Sequence, residues 1–194
     1  MRRSAIACLA LIAILAGGCA SSPPTGLYLL AALAQPASAQ PFPNSLGIGP
    51  VSLPDYLDRL QIVTRGASGE IAVSDTERWA EPLHEGLARV LDENLAALLG
   101  TQRIVRFPWP ASLAPDAQVA VEVLRFDAGP GASLRLEARW SVRARGGETV
   151  VEPSLTRIEV PSGNSADQRV RAHSEAASRL AREIASALWA TLRR

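Results

Sequence analysis

The chain has 194 residues, 47% of them hydrophobic and 20% charged, which suits one domain able to bury a core after processing. The formal charge is +1, all cationic side chains are arginine, and there are two cysteines. Loss of Arg2 and Arg3 with an N-terminal leader leaves 18 arginines against 19 acids, a net −1; no basic excess remains for nucleic acid, so no nucleic-acid partner is expected.

Arg2 and Arg3 form a positive n-region before an uncharged apolar run, residues 5–16. That run is shorter than the roughly 20 residues a bilayer-spanning helix needs, so it reads as a secretory signal rather than an anchor. Cys8 leaves with it, and Cys19 is then the lone thiol, which excludes an intramolecular disulfide. The stretch Leu15-Ala16-Gly17-Gly18-Cys19 resembles the lipobox of bacterial lipoproteins. The resemblance implies cleavage before Cys19 and acylation of Cys19. Two or more acyl chains hold a protein stably on a membrane, whereas one does so only marginally. Residues 1–18 are thus read as signal peptide and 19–26 as a lipidated tether, with residues 27–194 as the folded domain. Ala20 after the cysteine, rather than aspartate, suggests the outer membrane by analogy with the enteric sorting rule.

Residues 27–30 read as a first strand, although the run to Leu33 also suits a helix. Residues 34–45 carry three prolines and read as loop. Residues 46–51 read as a second strand followed by a turn near Pro54, and residues 61–65 and 70–74 as a hairpin around Gly66 and Gly69. Ser74 with Glu77 three residues on matches a capping box, which predicts a helix running to Gly100 as C′ residue. Its apolar stripe is Trp79, Leu83, Leu87, Val90 (or Leu91), Asn94 and Leu98, with Asn94 the polar exception. Pro82 either kinks that helix or marks where it begins. A strand over 103–107 ends at Pro108-Trp109-Pro110.

Three strands then follow, 118–126, 133–144 and 149–160. The middle one alternates most clearly: Leu134, Leu136, Ala138, Trp140 and Val142 on one face, Arg135, Glu137, Arg139, Ser141 and Arg143 on the other. Period two with one charged face means one buried and one wet face, as in an antiparallel meander. A helix over 165–192 with an apolar stripe through Leu180, Ile184 and Leu188 closes the chain. The expected fold class is α+β: a mixed, largely antiparallel sheet with two long amphipathic helices packed on it.

Catalytic patterns are missing. There is no H-E-x-x-H, G-x-S-x-G or P-loop, and Gly47-Ile48-Gly49 is followed by Pro50 rather than by a helix. His84 and His173 fall on different helices and read as structural, and Asp92-Glu93 as a solvated face. No metal, cofactor or enzyme activity is expected. Trp79, Trp140 and Trp189 read as core, and Trp109, between two prolines, as an exposed contact.

Several segments together carry a resemblance: LGIGPVSLPDYLDR at 46–59 running into QIVTR at 61–65, RWAEPL at 78–83, VL at 90–91 with NL at 94–95 and LLG at 98–100, PW at 108–109, and VLRFD at 123–127. This is similar to the PqiC-like membrane-integrity lipoproteins, also described as the auxiliary lipoprotein component of ABC-type transport systems. The resemblance implies a non-enzymatic adaptor on the periplasmic side of the outer membrane. Its implied partners are an MCE-domain protein of the PqiB-like kind and the inner-membrane components of that lipid transport system, with a homo-oligomeric ring as a further implication. Within the matched segment Asp55, Tyr56, Asp58, Arg59, Gln61 and Arg65, with Trp109, are the candidate partner-binding residues. The competing expectation is an internal network in which Arg59 or Arg65 ties Asp55 or Asp58. Two alternatives to the adaptor are a shuttle carrying one lipid in its own cavity and a periplasmic hydrolase; the residues offer nothing for the hydrolase.

Overall fold

A computed structural model describes residues 24–36 and 40–192. The signal segment, Cys19 and most of the tether lie outside the described residues. The strands are β1 (Gly26–Tyr28), β2 (Leu46–Ser52), β3 (Gln61–Arg65), β4 (Ile71–Trp79), β5 (Ile104–Arg106), β6 (Ala117–Gly129), β7 (Ser133–Ala144) and β8 (Thr149–Pro161). The helices are α1 (Leu83–Leu99) and α2 (Ala166–Leu192).

The strands join in one eight-stranded mixed sheet. Its longest ladders, β6 with β7 and β7 with β8, are antiparallel, while the parallel pairings of β2 with β5 and β6 and of β1 with β4 are shorter. The expected α+β class, with a largely antiparallel sheet and two helices on it, is what the chain adopts. In β7 the alternation holds along the strand: Leu134, Leu136, Ala138, Trp140 and Val142 are buried, and Arg135, Arg139 and Arg143 are exposed. The buried face carries both helices in one hydrophobic cluster with Leu87, Leu91, Leu95, Leu180, Ile184 and Leu188.

The first helix begins at Leu83, not at Ser74. Residues 71–79 are strand, held between β1 and β3, and Trp79 is buried at its end rather than on a helix stripe. The hydrogen bond that suggested a cap does form, from Glu77 N to Ser74 Oγ at 3.0 Å. It is a local side-chain-to-backbone bond that an irregular strand also supports, and tertiary pairing decides the outcome. Pro82 sits at the N-cap, where its missing N–H costs nothing. At the other end Gly100 takes φ 62° and donates its N–H to Ala96 O, the left-handed stop that glycine favours. The buried face runs on through Leu95 and Leu99, which lie outside the expected stripe, whereas Leu98, expected in it, is only partly buried.

The first strand is shorter than expected, ending at Tyr28, and residues 29–34 run on without regular structure beside both helices. Buried backbone groups need partners there, and polar residues in the helix stripes supply them. Asn94 Oδ1 accepts from Leu33 N (3.0 Å) and Ala34 N (2.7 Å), while its amide donates to Val90 O. Ser174 Oγ accepts from Ala31 N at 3.0 Å, and Arg89 donates to Leu30 O at 2.9 Å. Asn94 interrupts its apolar stripe because it docks this segment. At the start of α2, Ser165 and Gln168 exchange hydrogen bonds in a reciprocal cap.

Candidate functional site

β7 covers one edge of β6 along its length, from Ala117 opposite Ala144 to Gly129 opposite Ser133. The other edge is shared: β2 pairs with residues 117–122, and β3 with Ala128. β2 and β3 therefore follow one another along the same edge, and residues 53–60 loop out between them.

Opposite that loop, the register of β6 shifts between Val123 and Arg125. An extra residue in a strand reverses which faces its later side chains take. Before the shift Val119, Val121 and Val123 are buried; after it Phe126 and Ala128 take that role. Arg125 and Asp127 are thereby turned to the other face, where Asp127 lies across from Arg135.

Asp127 is the centre of the arrangement, its side chain wholly buried. Tyr56 Oη donates to Asp127 Oδ2 at 2.7 Å. Arg65 donates from Nη2 to Oδ2 at 2.8 Å and from Nε to Oδ1 at 3.2 Å, and Arg125 Nε donates to Oδ1 at 3.0 Å. The Arg65 guanidinium also stands 5.2 Å from the centroid of the Tyr56 ring. Burial pushes the Asp127 carboxyl up, but the hydrogen bonds from Arg65 and Tyr56 and the nearby arginine charges hold it below its usual range. Burial, reinforced by the Asp127 carboxylate, pushes the Tyr56 phenol up to about 12, so it stays a neutral donor. Arg65 is raised by its hydrogen bond to Asp127 and stays charged. The node clamps loop 53–60 and β3 onto β6.

The sequence-predicted residues divide on this geometry. Tyr56 and Arg65 are drawn into the node, Arg65 pairing with Asp127 rather than with Asp55 or Asp58. Gln61 is half-buried and pairs with Arg78 in the β3–β4 ladder. Asp55, Asp58 and Arg59 stand exposed on the loop, fixed by turns from Leu57 N to Pro54 O and from Asp58 N to Asp55 O. Asp58 Oδ1 lies 3.7 Å from His84 Nδ1 at the surface. Trp109 is not with them: it sits near Gly47, at the Ala117 end of β6, roughly 30 Å of strand from Asp127 at about 3.3 Å per residue. It is half-buried, edge-on to Phe107 at 5.5 Å between centroids. A Cβ on Gly47 would come within 2.6 Å of its ring, so the indole rests on bare backbone.

Asp127 and Arg125 were not among the candidates drawn from sequence. A signal existed. In VEVLRFD the period-two pattern puts Arg125 and Asp127 in phase with Val121 and Val123, on the core face, and only an inserted residue relieves that conflict.

Among the described residues no group of three or more His, Cys, Asp or Glu side chains gathers as metal ligands, and no helix is long and apolar enough to cross a membrane. His173 is fully enclosed, its ring edge-on to Trp79 and Phe126, with Nδ1 2.8 Å from Arg169 O. Burial outweighs its hydrogen bonds to backbone carbonyls and lowers it to about 4, leaving a neutral core histidine. A hollow of about 750 Å³ is an open groove between Leu33, the end of β8 and the first turns of α2.

The family model described as ABC-type transport auxiliary lipoprotein component matches residues 28–185. Among solved structures, a Xanthomonas campestris protein of family DUF330 aligns with TM-score 0.72 at 17% identity, over 87% of this chain and 95% of that one. An uncharacterized protein aligns with TM-score 0.69 at 18% identity, over 84% of this chain and 98% of that one. At such identities the likeness speaks for the fold alone. No curated protein matches the sequence.

Proposed function

This chain belongs to the ABC-type transport auxiliary lipoprotein component family, and on that footing we propose that it is a non-enzymatic adaptor, lipid-anchored through Cys19 to the periplasmic side of the outer membrane, serving an MCE-type intermembrane lipid transport system. The match over residues 28–185 carries the reading. The signal layout ending at Cys19 agrees with a lipid anchor, and an adaptor asks for presented surface rather than a reaction centre.

The node around Asp127 gives that surface a physical basis. The fold sets Trp109 at the far end of β6, apart from the candidates at 55–65. What it offers is a loop whose base, Tyr56 and Leu57, is buried or clamped, and whose tip presents Asp55, Asp58 and Arg59. Fixing a loop in advance lowers the entropy lost on binding. The partner we propose for this tip is the MCE-domain protein, PqiB-like, that such a system contains.

The geometry also says which substitutions test this. Tyr56 is a poor probe, since removing it breaks the bond to Asp127. Arg59→Glu and Asp58→Arg change exposed charges and are expected to move stability by no more than about 0.5 kcal/mol. Capture of the MCE-domain protein by the lipidated full chain should be lost in the double variant at unchanged Tm. Undiminished capture would remove the loop tip from the interface.

A further inference from the structure

Beyond the clamp, Arg65 and Arg125 do something else. Together with Arg135 they line a hollow of about 270 Å³ at one end of the sheet, beside the β3–β4 turn and the β6–β7 turn. Gly66, Gly69 and Gly129 border it and bring no side chain into it. The guanidiniums come from three strands, β3, β6 and β7. Asp127 holds Arg65 by Nε and Nη2 and Arg125 by Nε, which orients the two planar forks. Neither Nη of Arg125 nor Nη1 of Arg65 has a partner among the described residues, and these arginine side chains are about a quarter exposed or less. Arg135 faces Glu159 at 3.4 Å and is half exposed. Asp127 and Glu159 face the three cations, and the Glu70 carboxylate packs against Gly66 on the rim, so an anion would be held by the oriented N–H groups rather than by net charge. Fixed guanidinium forks with spare N–H groups suit a tetrahedral oxyanion.

The position of the hollow narrows the source of that oxyanion. β1 runs parallel to β4, with Gly26 beside Glu77 and Tyr28 beside Trp79. Followed backward from Gly26, this register leads along β4 toward Ile71, the strand end next to Arg65 and the turn. β1 thus begins on the side of β4 that leads toward the arginine end. Ile71 is six residues before Glu77, about 20 Å of strand at 3.3 Å per residue. Cys19 is seven residues before Gly26, a reach of about 24 Å when stretched. The anchor can therefore come level with the hollow.

We propose that Arg65, Arg125 and Arg135 form a binding site for a phosphate group, carried on a membrane lipid or free in solution. The favoured source is the lipid headgroup, a preference that rests on the anchoring at Cys19 proposed above; the oxyanion chemistry does not. The site would seat the domain against anionic headgroups, where each basic side chain also gains from the surface potential.

The test uses the unacylated chain from Ala20 onward, which keeps every buried residue described, the first of them Leu30. Two probes are compared: inorganic phosphate, followed by the Nε–H resonances of arginine, and vesicles of equimolar phosphatidylglycerol and phosphatidylcholine, followed by co-sedimentation. The expected result is a saturable phosphate-induced shift of the Arg65 and Arg125 resonances and vesicle binding that phosphate competes away. Arg135→Ser, exposed and outside the clamp, should weaken both by about tenfold, the loss of one charge-assisted contact. Arg157→Ser, on the same wet face but not at the hollow, should leave both nearly unchanged. Phosphate shifts without vesicle binding would assign free phosphate as the ligand. No shift, or equal loss of vesicle binding in Arg135→Ser and Arg157→Ser, would overturn the site. Acylation of Cys19, assayed separately, stands or falls independently of this result.

Discussion

An aspartate marks each end of β6, Asp116 just before the strand and Asp127 within it; each ties another part of the chain to it, and they do it differently. At one end Asp116 accepts from Ser45 N at 2.8 Å and Ser45 Oγ at 2.7 Å, and Arg145 bonds it from solvent at 2.9 Å. Its side chain is about a third exposed. At the other end Asp127 is wholly enclosed by Tyr56, Arg65 and Arg125. The first is a hydrogen-bonded latch that water can replace. The second is a charge that the protein alone solvates, and its removal leaves two oriented guanidiniums and a phenol without an acceptor. Enclosure, more than the number of bonds, decides how much each end depends on its carboxylate.

Asp127→Ala should separate the two ends most sharply. It is expected to cost about 4 kcal/mol and lower Tm by roughly 10 °C for a domain of this size, measured by calorimetry on the purified domain. A loss under about 1 kcal/mol would mean that water fills the node as readily as it fills the latch.

Acid gives the next effect, and it acts at the Asp127 end. His173 packs on Phe126 and is lowered to about 4 in the fold, against about 6.5 in an unfolded chain. Between those values the unfolded chain takes up a proton that the native one refuses. Stability is therefore full above pH about 6.5 and falls as pH drops toward about 4, by about 3 kcal/mol in total. Urea midpoints across that range should follow this slope, and His173→Gln should flatten it. An unchanged slope in the variant would place the titration elsewhere.

Asp116→Ala should do least. Losing hydrogen bonds at a partly exposed carboxylate is expected to cost about 1 kcal/mol, visible as a small shift in the urea midpoint. A cost equal to that of Asp127→Ala would erase the distinction between latch and clamp.

The same contrast explains what could be read from sequence. β7 was legible because its charged and apolar residues alternate without interruption; the shifts in both its ladders place the extra residues on β6 and β8, not on β7. The end of β6 was not, because an inserted residue near Leu124 reverses the faces and so moves Arg125 and Asp127 out of the core phase. Ser74 and Glu77 misled because their hydrogen bond forms in strand as well as at a helix cap. Asn94 was noticed as an exception in its stripe, yet only the path of residues 29–34 shows which N–H groups it serves. Among the candidates from Asp55 to Arg65, Tyr56 and Arg65 are the two that enter the node. Their partner lies 62 residues or more along the chain, a distance local pattern does not bridge.

The proposed lipid anchor at Cys19 is read out by intact mass analysis of the full chain extracted from the envelope of its host. The expected species is a polypeptide beginning at Cys19 that carries diacylglycerol and an amide-linked acyl group, with a Cys19→Ser chain released from the membrane fraction. An unacylated mature chain, or a Cys19→Ser chain that stays membrane-bound and supports envelope integrity, would contradict it.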